Sequence, residues 1–495
     1  MKGKKALSFM LAAGMISVAA TGCAGGAKKQ ENVTLKYVMA GPGMQANSQE
    51  VWAAFNDKLH EKLPNITVDF EIIPLSEYKQ KVMLMMSARE QIDIINNYGL
   101  DFATEVSNGS FVEMNDLLDK YGKEVRKTLP EWIWGYETVN GKIYGVPSYQ
   151  MMGQTRCICF VKELADKYLD AEALRKALDS SKTFSQEVYD ILGDYCKALK
   201  DNGINFKTTS ILNVKGYDGI TNSYSVVYGD DACKVVNTYA NDSAKLRYKT
   251  AKEWKDKGYI RPDALSATDD ESYYGKPDGT AFWDDIYTPY QEKQLSEKYG
   301  TEILCIPYDT EPPIGGIALA GGTSIMASSK YPEEAMQFIN LIQTDKELYN
   351  FLVFGREGVD YEKVGEDEIK TTYDSQGTAN DKYGIFKWIV GNAELAYRNQ
   401  SEDENYHNWA FNEVNSSTNR SKLIGFLPDT AAITDMLTQT DALRTQYLQP
   451  LNVGAVDNWE QNYEEFVSKL KTAGEDTIIS ELQKQVDEFL AQKKK

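Results

Sequence analysis

Few residues in this chain have types and spacing that could do chemistry. Gly41-x-Gly43-x-x-Ala46 lies between an apolar run and a helical pattern, with Asp69 downstream, and so imitates a dinucleotide-binding fingerprint. Pro42 inside the loop and the shortness of the pattern argue against that cofactor. The same arrangement, a strand end opening onto a helix N-terminus, is where α/β sheets hold ligands of many kinds. Cys157 and Cys159 are two apart, share a face of any strand they occupy, and read as core packing; a metal or redox pair needs a different spacing. The only histidines, His60 and His407, are far apart and have no second histidine at metal-ligand spacing, which argues against zinc hydrolysis. GxSxG, GxxxxGK[ST] and HExxH do not occur. The chain has 73 carboxylates, from which composition singles out no glycosidase pair. Asp284-Asp285 and Asp269-Asp270-Glu271 read as a polar ligand contact or a solvated loop, and no EF-hand loop is present. No catalytic residue, cofactor or metal is therefore expected.

The 495 residues, 42% hydrophobic and 26% charged, suffice for two or three domains with a large core. A net charge of −19 repels phosphate backbones, so a nucleic-acid partner is not expected. Apart from Cys23, the five cysteines are an odd number scattered over half the chain and imply no disulfide framework.

The elements that would position a ligand follow from periodicity. Val33–Ala40 is a buried strand. A helix follows, with Asn47 as N-cap, Glu50 at the capping-box position and Trp52, Phe55, Leu59 and Leu63 on one face. Ile66–Pro74 alternates as a second strand, Ser76 caps a helix through Arg89, and Gln91–Asn97 is a third strand. Such alternation marks a parallel sheet wrapped by helices. Asn140-Gly141 signals a hairpin turn. Residues 155–305 are helical and polar, with strands near Gln154–Val161 and Glu302–Pro307, and the tail from Asp381 is mostly helix.

Residues 1–22 begin with Lys2, Lys4 and Lys5, continue through the uncharged Ala6–Ala20, and have the charge and length of a signal peptide. The small residues before Cys23 resemble the lipobox of bacterial lipoproteins, in which that cysteine carries the lipid; Ala20 stands where leucine is usual. Residues 23–32 have the composition of a tether. The expected location is the extracellular face of a cell membrane of Gram-positive type, by lipid anchor.

Three stretches carry a family resemblance. Asn140-Gly-Lys-Ile-Tyr144-Gly-Val-Pro147 resembles a segment of extracellular solute-binding proteins of the maltose-binding type, where the chain nears the crossover between lobes. Gly321–Ile339 resembles the strand and helix with which such chains return to lobe one. Gln343–Gly358, with Ser421–Phe426, resembles the LipO-like lipoprotein subgroup. The resemblance implies an α/β, two-lobed periplasmic-binding-protein-like fold (type II) with a helical C-terminal region. Lobe one would comprise 33–148 and 314–357, lobe two 149–313, and 358–495 would pack largely on lobe two. It further implies a monomeric, non-enzymatic binding protein that passes a carbohydrate, an oligosaccharide by preference, to the permease of an ABC importer. A peptide ligand, or a surface glycoside-processing enzyme or adhesion lipoprotein, are the alternatives. An aromatic content of 11%, with 31 tyrosines, suits sugar stacking and peptides alike. Loops at strand ends line the cleft in this fold, which places Gly43, Met44, Gln45, Asn97, Tyr98, Tyr149, Gln150, Trp283 and Asp284 there. Trp283 is the first stacking candidate, followed by Trp388 and Trp409.

Overall fold

The computed structural model describes residues 31–317, 321–371 and 382–493. Residues 1–30, with the expected signal peptide, Cys23 and most of the expected tether, lie outside the described residues.

Five elements follow one another as periodicity predicts: β1 (Val33–Gly41), α1 (Ser48–His60), β2 (Ile66–Pro74), α2 (Leu75–Ser87) and β3 (Ile94–Asn96). Helix α1 starts directly after Asn47, as expected, but the bonds at its N-terminus differ. Asn47 makes no side-chain cap; its Nδ2 donates to Asp360 at 2.7 Å, and Glu50 pairs with Arg356 at 2.8 Å, so α1 is tied to a distant loop instead. Helix α2 starts one residue before Ser76, because Pro74 has the fixed φ that suits a helix entry.

The hairpin strands β4 (Thr138–Val139) and β5 (Lys142–Ile143) enclose Asn140 and Gly141 at φ 51° and 77°, a type I′ turn whose twist matches the strands. After β6 (Val146–Pro147) the chain leaves for β7 (Arg156–Val161), β8 (Tyr217–Gly219), β9 (Tyr224–Val227), β10 (Val235–Asn237) and α3 (Asp242–Asp256). Then come β11 (Trp283–Ile286), α4 (Gln291–Tyr299) and β12 (Ile303–Pro307). The chain returns at β13 (Gly322–Ile325), continues through α5 (Pro332–Thr344) and α6 (Lys346–Phe354), and ends in α7 (Thr434–Asn452), α8 (Trp459–Thr472) and α9 (Glu475–Lys493).

Most of the strands named above form a five-stranded sheet of order β2-β1-β3-β13-β6 and the three-stranded sheets β11-β7-β12 and β10-β9-β8; a further small sheet joins Glu362–Lys363, Glu368–Lys370 and Arg398–Asn399. In the first sheet β1 runs parallel to β2 and β3, while β13 inserts antiparallel between β3 and β6. The departure after Pro147 and return at Gly322 make the fold two-lobed. Phe55, Phe70 and Phe338 meet at 5.3–6.3 Å between ring centroids under the first sheet. Each such ring contributes ~1.5–3 kcal/mol by burial. A second core gathers on β7 and its helices.

The tail divides between the two bodies. Tyr383, Ile389, Val390, Trp409, Phe411 and Val414 pack into the first core, whereas α7–α9 pack against β8–β10 and α3. Residues 383–414 thus lean on the first sheet, where the Ile389 carbonyl accepts bonds from Asn96 and Ser148, while the last three helices lie against β8–β10 and α3. No helix among the described residues is long and apolar enough to cross a membrane.

Candidate ligand cleft

Where β3 ends, Asn97 turns the chain out of the sheet, and a cleft of about 650 Å³ opens there. One wall comes from this sheet end: Asn97, Tyr98, Asp101 and Phe102, with Tyr136 and Glu137 before the hairpin. The other comes from the β8–β9 turn (Ile220–Asn222), the Phe426–Pro428 segment, and Thr434, Thr438 and Asp441 of α7. Spacing of four and then three residues puts the last three on one helix face.

The first wall is fixed by its own hydrogen bonds. Asn97, 4% exposed, donates from Nδ2 to Glu137 Oε2 at 2.6 Å and to Ser324 Oγ at 3.1 Å, and accepts at Oδ1 from Gly322 N at 2.6 Å. It thus clasps β3 to β13. Glu137 is 2% exposed, and burial pushes its carboxyl up to about 8 against the opposing bond from Asn97. Gly145 and Gly322 cradle that carboxyl so closely that a Cβ at either would lie 2.5 Å or less from it. Tyr136 donates to Gly315 O at 2.6 Å, across to the chain that connects the two bodies.

Tyr98 is only partly buried and offers a ring to the cleft. Its edge meets Trp388 at 5.8 Å, and Trp388 in turn stacks on Phe386 at 5.9 Å. On the second wall Asp441 accepts from Asn222 at 2.9 Å and Ser223 at 2.7 Å. Thr434 and Thr438 each donate to the carbonyl four residues back, at 2.8 Å and 3.0 Å, which leaves their oxygens exposed as acceptors. Lys79 supplies a cation at the rim. Aromatic rings beside spaced hydroxyl, amide and carboxylate groups suit a ligand with C–H faces and many hydroxyls.

Of the residues expected at the cleft, Asn97 and Tyr98 line it. Gln150 and Trp388 line a smaller neighbouring pocket with Lys387, Arg398 and Tyr406. Tyr149 and Trp409 are buried beside it, Tyr149 edge-on to Phe411 at 5.5 Å. Gly43, Met44 and Gln45 are not among the cleft-lining residues; Met44 is 54% exposed, and Gln45 accepts from Gly384 N at 2.8 Å. Trp283, the first stacking candidate, is a core side chain instead. Its register opposite Cys159 puts it on the sheet face covered by α4, where it is 4% exposed, stacked on Tyr274 at 5.0 Å and edge-on to Tyr299 at 5.9 Å. Asp284 points to the other face and accepts from Asn213 N at 2.9 Å and from Tyr308 OH; burial raises its carboxyl despite those bonds. Tyr136, the β8–β9 turn and the α7 face were not foreseen. The sole signal for α7 was the i, i+4, i+7 spacing of Thr434, Thr438 and Asp441, which any solvated helix face can show.

Among the described residues, one cluster of metal-ligating types converges, Cys157, Cys159 and Cys305, and none of the three lines the cleft.

A parallel-then-crossed sheet, a departure and return of the chain, and a cleft at strand ends define a two-lobed solute-binding architecture. Residues 41–348 match the bacterial extracellular solute-binding protein family, and the chain belongs to it. Residues 422–491, which hold α7, α8 and most of α9, match a domain of unknown function, DUF3502. A carbohydrate ABC transporter substrate-binding protein of Streptococcus pneumoniae serotype 4 (strain ATCC BAA-334 / TIGR4) is 27% identical over 459 residues, 90% of this chain and 89% of that protein. The crystal structure of the N-glycan transport solute-binding protein NgtS from S. pneumoniae superposes with a TM-score of 0.75 at 24% identity, covering 93% of this chain and 99% of that one. S. pneumoniae FusA in complex with kestose has a TM-score of 0.59 at 16% identity, over 93% and 100% of the two chains.

Proposed function

We propose that this chain is the substrate-binding component of a carbohydrate ABC importer and takes an oligosaccharide in the cleft between Tyr98 and the α7 face. The observation that carries the reading is the cleft itself. It has a partly exposed ring backed by two further aromatics on one wall and, on the other, the exposed hydroxyl oxygens of Thr434 and Thr438 beside Asp441. The similar proteins support the class of ligand, since NgtS was crystallised with Man1GlcNAc and Man5GlcNAc and FusA with kestose. Binding occurs without turnover, and the lobes close on the sugar because the closed form binds it better. The lobes divide at 148/149 and 313/314, with residues 383–414 moving with lobe one. Cys23 carries the lipid that holds the monomer on the outer face of the membrane, beside the permease that receives the sugar.

A thermal-shift screen against N-glycan fragments, fructo-oligosaccharides and peptides tests this. An oligosaccharide at a hundredfold over Kd should add ~2.7 kcal/mol of apparent stability. A shift with peptides alone, or products released from a glycan, would replace the reading with one of its alternatives.

A further inference from the structure

The two cysteines of β7 acquire a third partner through sheet register. Cys157 and Cys159 point to one face, and Cys305 of β12 lies directly opposite Cys159. Their sulfurs are 3.6 Å apart from Cys157 to Cys159 and 3.6 Å from Cys159 to Cys305, and all three lie within 4.8 Å of one another. None is in a disulfide. Trp283, Leu295 and Ile303 close over them, so the group is shut off from water.

The geometry points to a buried three-sulfur site for a soft monovalent cation, copper(I), formed by Cys157, Cys159 and Cys305. A cation at the centre of three coplanar sulfurs with bonds of ~2.3 Å needs sulfur separations of ~4.0 Å. Two separations are 3.6 Å and the third is within 4.8 Å, so the cluster reaches that with shifts of less than an ångström. Structural zinc sites are almost always four-coordinate, and no fourth cysteine, histidine or carboxylate joins this cluster among the described residues. Thiolates select soft cations, and copper(I) is content with three. Each sulfur–copper bond formed releases that thiol's proton to solvent, and the metal stays copper(I), so no electron is transferred. The Cys305 backbone is held by Glu292 Oε1, which accepts its N–H at 2.9 Å, so the third ligand is positioned before metal arrives.

The test is an anaerobic titration of the reduced full chain with copper(I) supplied as its bathocuproine disulfonate complex. The wild type should withdraw about one equivalent per chain. Cys305→Val, with Cys23, Cys196 and Cys233 still present, should bind at least about a hundredfold more weakly, because losing even an outer-sphere partner costs 10–100-fold. Equal uptake by the variant, or none by the wild type, would overturn the site. X-ray absorption of the loaded wild type gives a readout independent of any variant's folding: three sulfur neighbours are expected, and a shell dominated by nitrogen or oxygen contradicts the assignment. Zinc(II) held as tightly as copper(I) would contradict the three-coordinate geometry.

Discussion

The two walls of the cleft are built on different terms. At the β3 end, polar side chains are spent on the protein: all three bonds of Asn97 go to Glu137, Ser324 and Gly322, and Glu137 sits in a glycine cradle. On α7 the hydroxyls of Thr434 and Thr438 are turned outward, each donating only to the carbonyl four residues back, while Asp441 is held by Asn222 and Ser223. Buried polar groups must be paired, so the first wall can supply shape and a ring but few free hydrogen bonds. Ligand polarity is met by the second wall. In the proposed reading, one wall sets the form of the site and the other reads hydroxyls, an economy suited to two bodies that approach each other around a sugar.

This contrast makes the largest expected effect a matter of stability. The Glu137 carboxyl sits at about 8 in the folded chain and near 4.5 when free, so the folded state holds the extra proton. Its contribution is intact below about pH 4.5 and is lost as pH rises through about 8. The full loss is on the order of 4–5 kcal/mol. Glu137→Gln, which mimics the neutral acid, should flatten that slope in urea melts between acid and alkaline pH. A slope unchanged by the substitution would mean Glu137 is ionised and the first wall is not the closed clasp described. Next, Trp283→Ala should lose ~3–5 kcal/mol of stability as a large core deletion while the folded fraction keeps its sugar affinity. A stable variant with weakened binding would return Trp283 to the cleft. Tyr98→Ala should do the reverse, losing ~1–3 kcal/mol of affinity, by analogy with ring stacking on bases, with little change in melting temperature. The smallest effect belongs to the second wall, where Thr438→Val removes one hydroxyl and should weaken binding by ~0.5–1.5 kcal/mol. If that substitution is silent while a change on the buried first wall abolishes direct contacts, the division of labour is inverted.

Legibility in the sequence followed the range of the interactions. Runs such as Val33–Ala40 and Ile66–Pro74 declare themselves by local pattern, and Asn140-Gly141 fixes its turn through the positive φ both residues tolerate. Asn97 and Tyr98 were expected beside the cleft because they end a strand, and both line it. The opposite wall was not, since α7 reaches the cleft only through the packing of the tail on β8–β10. Trp283 was misplaced for a related reason: alternation along β11 shows that it shares a face with Asp285, but not that α4 covers that face. The third cysteine of the cluster likewise depends on a register between strands far apart in the chain.

Paired calorimetric titrations of the wild type, Tyr98→Ala and Trp283→Ala with Man5GlcNAc and with kestose test the central claim most directly. The account predicts saturable one-to-one binding of an oligosaccharide that is recovered uncleaved, weakened in Tyr98→Ala and retained in the folded fraction of Trp283→Ala. Failure of the folded wild type to bind either sugar or any longer N-glycan or fructan, or binding untouched by Tyr98→Ala, would contradict it.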